Sequence, residues 1–206
     1  MKTVEVYADI GCPFTHVGLL RFVEARRERG SDALLVVHAW PLELVNGKPL
    51  DPAFIAEEVE EIRPQVGGQL FSGFDPAAFP DSSIPAMALA SAAYGSDPAA
   101  GEAVSLELRD LLFEQGRDVA DPAVLAAVAA EHGLEFDPGA ADEHMETVAA
   151  DHARGRELGV IGSPHFLTRS AGFFCPALEV GRDSDGHLRV HADPEGFDRF
   201  LDAALQ

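Results

Sequence analysis

Thr3-Val4-Glu5-Val6-Tyr7-Ala8-Asp9-Ile10-Gly11-Cys12-Pro13-Phe14-Thr15-His16 is the stretch on which the reading of this chain turns. Apolar and polar residues alternate through Ala8, which predicts a strand. Asp9-Ile10-Gly11 is turn-like, and Pro13 suits the first position of a helix, where its missing N–H costs nothing. Leu19, Leu20, Phe22 and Val23 supply the apolar face of that helix. Arg26, Arg27 and Arg29 complement its C-terminal end, and Gly30 serves as its stop.

A cysteine at the mouth of such a helix meets free amides and the positive end of the helix dipole, both of which favour an anion. An ordinary thiol ionises near pH 8.5, and sites of this kind lower that to about 3.5–7.5. Each unit corresponds to about 1.4 kcal/mol, so the pattern predicts a Cys12 thiolate at neutral pH. His16, one turn further on, either pairs with that thiolate or faces solvent. Thr15 stands where a second thiol would complete a CxxC pair. Its hydroxyl suits a hydrogen bond to sulfur, but it cannot form a disulfide.

Further along the chain, Ala33 to Trp40 is a near-continuous apolar run, as expected of a strand covered on both faces, so strand, helix and strand form a parallel crossover. Asp-Pro pairs at 51–52, 97–98, 121–122, 137–138 and 193–194 read as helix starts. Gly95, Gly116, Gly133 and Gly159 read as stops, giving four or five helices between about residues 52 and 158 by these start and stop rules. The glycine- and proline-rich stretch from Arg63 to Ile84 reads as an irregular connection in preference to a mobile flap. His165 to Thr168 and Phe173 to Val180 read as a hairpin, and Asp183-Ser184-Asp185-Gly186 as the tight turn of a second one in preference to a calcium loop. A last amphipathic helix carries Phe197, Phe200 and Leu201.

The chain has 206 residues and a formal net charge of −20. That balance disfavours nucleic acid and anionic lipid as partners. No run approaches the length of a membrane span, and the N-terminal residues lack the apolar run of an export signal, so a cytoplasmic protein is expected. Two cysteines, Cys12 and Cys175, exclude a disulfide framework and suit a reducing compartment. His144, His152, Asp142 and Asp151 lack the spacing of a zinc face and read as surface residues, so no metal site is expected.

The segment Ala8 to Phe14 followed by Val17-Gly18 resembles the active-site stretch of the DsbA-like thioredoxin superfamily. Trp40-Pro41-Leu42-Glu43-Leu44 resembles the strand end of its cytoplasmic members, and Gly159 to Phe166 resembles the segment that holds their cis-proline. The resemblance implies an α/β, thioredoxin-like fold with a large all-helical insertion after the second strand. Residues 1–50 and 159–206 would form the thioredoxin-like domain and 51–158 the insertion. It implies a cis Ser163-Pro164 bond facing Cys12, with the Ser163 backbone free to pair with substrate.

The implied activity is thiol–disulfide exchange by a single cysteine, with no bound cofactor and a low-molecular-weight thiol as co-substrate. The expected partner is a small thiol or disulfide, and a homodimer is left open. Cys12, Thr15, His16 and Cys175 are the candidate catalytic residues; Pro13, Phe14, Ser163, Pro164 and His165 are the candidate substrate-binding ones. Thr15, Ser163 and His165 depart from the family's pattern. The absent second thiol also fits a thiol-dependent isomerase or transferase of the kappa or hydroxychromene-carboxylate type, against which Cys12 in place of their serine argues; a non-catalytic binding protein built on the fold is a third reading.

For Cys175, a turn near Arg169 to Ala171 makes residues whose numbers sum to about 340 face each other across an antiparallel pair, which puts Cys175 or Pro176 opposite Pro164. Cys175 then either resolves a mixed disulfide on Cys12 or is an inert small apolar residue.

Overall fold

The computed structural model describes residues 2–67 and 69–205. Strand β1 (Thr3–Ala8) is central: Val4, Val6, Tyr7 and Ala8 are all buried. It pairs in parallel with β2 (Leu34–Ala39), from Thr3 opposite Leu34 to Ala8 opposite Ala39. Helix α1 (Pro13–Glu28) makes the crossover and stops where Gly30 takes φ 59°. On the other side β1 pairs antiparallel with β3 (His165–Leu167), which pairs antiparallel with β4 (Gly172–Phe174), giving the order β2-β1-β3-β4.

Between β2 and β3 lie α2 (Leu42–Asn46), α3 (Pro52–Ile62), α4 (Ile84–Ser96), α5 (Pro98–Phe113), α6 (Pro122–Glu131) and α7 (Ala141–Glu157). The Asp-Pro starts work as expected in three of these helices: Asp51, Asp97 and Asp121 accept the amides of Ala53, Ala100 and Ala123. Asp137-Pro138 does not start a helix. The Asp137 carbonyl accepts from His144 Nε2 and from the Ala140 amide, closing a turn before α7 begins at Ala141.

The connection from Arg63 to Ile84 contains 3-10 turns at Arg63–Gln65 and Pro76–Ala78; Gly68 lies outside the described residues. Phe71 is fully buried, and Glu114 accepts the amides of Phe71 and Ser72, which ties this connection to the end of α5.

The expected strand from Phe173 to Val180 is broken. Cys175 takes φ 43°, Pro176 offers no N–H, and the Leu178 amide turns back to the Cys175 carbonyl. β5 (Leu178–Arg182) therefore leaves the main sheet and pairs with β6 (Leu188–Ala192) in a sheet of its own. Their connection is the predicted turn. Asp183, Asp185 and His187 approach within 4.8 Å there, but the Asp183 carboxylate is engaged by the amides of Asp185 and His187 and by Arg189.

Helix α8 (Pro194–Leu205) sets Phe200 against one face of the main sheet. Its ring centroid lies 4.5 Å from that of Phe166, 5.5 Å from Phe173 and 5.7 Å from Phe22. The insertion covers the outer edge of β2. Tyr94 Oη donates to the Leu35 carbonyl at 3.1 Å, and Asp151 accepts the Ala39 amide at 2.9 Å. Asp151 is thus not a free surface residue, and neither is His144, which is buried and stacked on Phe136 at 4.7 Å. His152 lies against Trp40. No helix among the described residues is long and apolar enough to cross a membrane.

Where α7 passes the sheet, Gly155 is a packing requirement. A Cβ there would lie 2.7 Å from the Trp40 ring and 2.8 Å from that of Tyr7. Alanine gains about 1 kcal/mol of helix propensity over glycine, whereas such overpacking costs about 1–3 kcal/mol. Gly155→Ala is expected to lower the thermal midpoint, while Gly95→Ala, with open space around its Cβ, is not. Parallel melting curves check this.

Candidate active site

The turn out of β1 is clamped by Asp9. Its carboxylate accepts the Gly11 amide at 2.8 Å and the Leu42 amide at 2.6 Å, joining the loop before Cys12 to the start of α2. Burial pushes the Asp9 carboxyl up, and these amides partly offset it. Beneath the loop lies Arg109 of α5, 1 % exposed, donating to the Ser105 carbonyl and hydroxyl at 2.7 Å each and to the Asp9 carbonyl at 3.4 Å. Burial lowers its guanidinium to about 10, which leaves it cationic at neutral pH.

Cys12 caps α1, its carbonyl accepting the Thr15 and His16 amides. Its sulfur is buried and donates to the Ser163 carbonyl at 3.2 Å. The Ser163-Pro164 bond is cis, as the resemblance implies, but in this state the Ser163 carbonyl is occupied by the Cys12 thiol. The Ser163 hydroxyl accepts the Asp9 amide at 2.9 Å and shares a 2.7 Å hydrogen bond with the Thr15 hydroxyl. Thr15 therefore joins the motif to the cis-proline segment.

The expectation of a lowered Cys12 pKa is corrected. Burial, followed by the charge of Glu58, pushes the thiol up to about 11, against hydrogen bonds from Thr15 and Ser163 that favour the thiolate. Desolvation outweighs the helix terminus here because the insertion closes over the sulfur.

A cavity of about 360 Å³ lies beside Cys12. Phe14, Leu42, Leu50, Phe54 and Phe174 give it apolar walls, and Cys12, Cys175, Ser163, Asn46 and Glu58 supply reactive or polar groups. Of the two residues the register reading set opposite Pro164, it is Cys175 that falls there, its amide donating to the Pro164 carbonyl at 2.9 Å. Both cysteines are free. Burial, then the neighbouring Cys12, pushes the Cys175 thiol up to about 12.

Four further candidates lie elsewhere. His16 neither faces solvent nor pairs with the sulfur: it is buried among Phe71 and Phe113, and its Nε2 lies 2.8 Å from Glu114 Oε1. Burial raises the Glu114 carboxyl, but His16 and the Phe71 and Ser72 amides outweigh that and hold it below its usual range. His165 is buried outside the cavity, its Nδ1 accepting the Ile161 amide at 3.1 Å, and burial depresses its ring pKa. Pro164 packs over Gly18, and neither it nor Pro13 lines the cavity. Glu58, Asp9 and Arg109 were missed as site residues. Asp9 lay within the quoted motif, whereas nothing local marks Glu58 or Arg109.

Solved structures share this architecture. Cytosolic disulfide reductase DsbM from Pseudomonas aeruginosa, also solved with GSH, is 19% identical with a TM-score of 0.63, covering 97% of each chain. A probable DsbA oxidoreductase from Streptomyces coelicolor is 22% identical with a TM-score of 0.58, covering 84% of this chain and 82% of its own. A 2-hydroxychromene-2-carboxylate isomerase is 14% identical with a TM-score of 0.58, covering 84% and 88%. A search of curated protein sequences found no match. The family model of the DSBA-like thioredoxin domain matches residues 3–180, which takes in both halves of the sheet, the insertion and the cavity, and the chain belongs to that family.

Proposed function

We propose that this protein is a cytoplasmic thiol–disulfide oxidoreductase that works through one sulfur, Cys12, with a low-molecular-weight thiol as co-substrate and no bound cofactor. The observation that carries this reading is the Cys12 sulfur at the wall of an apolar cavity, beside the Ser163 carbonyl, with Thr15 in place of a second thiol.

In the forward step the Cys12 thiolate attacks one sulfur of a disulfide RSSR. The Cys12–S–S–R bond forms, the S–S bond of RSSR breaks, and the departing RS⁻ takes up the proton that Cys12 released. A second thiol, R′SH, then attacks the mixed disulfide, restores Cys12 and leaves as R′SSR. Cys175 lines the same cavity, but its thiol is held even higher than that of Cys12, which favours an external thiol as the resolving group. The glutathione complex of the similar DsbM supports a small thiol in this role.

Intact-mass analysis after incubation with 2-hydroxyethyl disulfide tests the proposal. Wild type is expected to gain an adduct that maps to Cys12, and Cys12→Ser to show none in that peptide. No adduct on Cys12 at any pH up to 10 overturns it, and glutathione binding without an adduct would favour an isomerase.

A further inference from the structure

Glu58 on α3 lines the cavity beside Cys12 and Cys175. Among the described residues it has no hydrogen-bond donor and no ion-pair partner. Burial, with Glu57 nearby, raises its carboxyl to about 8, and Arg182 only partly offsets this. Arg182 does not line the cavity; it is exposed, lies over the Phe54 ring and donates to the Gly186 carbonyl. The lining therefore offers an anion no cation. It offers a cation the half-buried Glu58 carboxylate, where water screens less than at the open surface.

The geometry points to small disulfides that carry an ammonium group as the preferred substrates of the Cys12 cavity, with Glu58 as the residue that selects them. This inference rests on the exchange reaction proposed above and adds the charge class of its substrate. Two groups in the cavity, the Glu58 carboxyl and the Cys12 thiol, are held protonated by burial, and a positive charge placed between the walls favours the ionised form of both. An ammonium ligand thus supplies what the resting site lacks: a partner for Glu58 and a local field that favours the attacking thiolate. A substrate carboxylate would meet apolar walls, Glu58 and no cation, with only the uncharged groups of the exposed Asn46 and of Ser163 to receive it, and would hold the Cys12 thiol more firmly protonated.

Three disulfides of similar size test this: cystamine with two ammonium groups, uncharged 2-hydroxyethyl disulfide, and 3,3′-dithiodipropionate with two carboxylates. Rates of adduct formation on Cys12 are measured at 0.5 M salt, which screens the exposed acidic surface more than a half-buried carboxylate in the cavity. Each rate is divided by that of the same disulfide with a free model thiol. The expected normalised order is cystamine, then the uncharged disulfide, then the dianion, with at least about tenfold between first and last, since a factor of ten needs only about 1.4 kcal/mol.

In Glu58→Gln the ratio of cystamine to the uncharged disulfide is expected to fall to within about threefold of unity, a difference below 1 kcal/mol. Equal normalised rates in wild type, or a ratio unchanged in Glu58→Gln, overturn the inference while leaving the exchange reaction standing. If none of the three adds to Cys12, the exchange reaction fails first and the inference with it.

Discussion

Alkylation of Cys12 by iodoacetamide is expected to accelerate about tenfold per pH unit from pH 7 and to be still climbing above pH 9.5, where an ordinary thiol with a pKa of about 8.5 has levelled off. The cause is burial of the sulfur, with Glu58 adding to it, which holds the thiol at about 11. The sign follows directly: a raised thiol pKa leaves the neutral form dominant at pH 7, so reactive thiolate grows as pH rises. At pH 7.5 the thiolate fraction is lower than that of a free cysteine by a factor on the order of 10², and the rate falls with it. Measuring this in Cys175→Ala removes the second sulfur from the signal. A rate that levels off below pH 8 would mean that the helix terminus prevails after all. Cystamine at a fixed concentration is the useful contrast, because its charge favours the thiolate once it is inside the cavity.

Removing the ring of Phe200 is expected to cause the largest loss of stability of any single change considered. The side chain is fully buried and bridges α8 to the sheet, with Phe166, Phe173, Phe22 and Phe197 between 4.5 and 6.0 Å away, centroid to centroid. Phe→Ala at such a site costs about 3–5 kcal/mol, from lost transfer energy and the cavity left behind. For a chain of this size each kcal/mol lowers the melting temperature by about 2–4 °C, so Phe200→Ala is expected to melt about 6–20 °C below wild type. Phe200→Leu, which keeps most of the apolar volume, is expected to lose less than half as much. Calorimetric or circular-dichroism melts of the two variants check the pair, and a Phe200→Ala midpoint within 2 °C of wild type would show that α8 contributes little to the cooperative unit.

The elements nearest the motif were legible because their signals are local. Alternation gave β1, Pro13 marked the first turn of α1, Gly30 its stop, and Asp51, Asp97 and Asp121 the capped starts of three helices. Hairpin arithmetic also narrowed the residue opposite Pro164 to Cys175 or Pro176, and Cys175 stands there, since antiparallel register is fixed once the turn is located. What escaped the reading depends on groups far apart in sequence. The helix dipole at Cys12 is a property of its own turn, but the desolvation that outweighs it comes with an insertion whose cavity-lining Glu58 lies 46 positions later. His16 sits next to Glu114, almost a hundred residues on, and no periodicity in the first helix announces that partner. The break at Cys175 had a signal in Pro176, but the apolar run through Val180 masked it.

The contacts of Tyr94 and Asp151 along β2 bear on how this molecule behaves beside copies of itself. A bare outer strand presents unpaired amides and carbonyls on which a neighbouring chain can add a strand, the first step of sheet-based aggregation. Here the Leu35 carbonyl and the Ala39 amide are already satisfied by side chains of the insertion, and α4, α5 and α7 lie against β2. At the opposite edge β4 is three residues long and runs into Pro176, too short and too abruptly ended to template a partner. The helices between β2 and β3 thus divide their work: α2 and α3 line the cavity beside Cys12, while α4, α5 and α7 keep the sheet from polymerising.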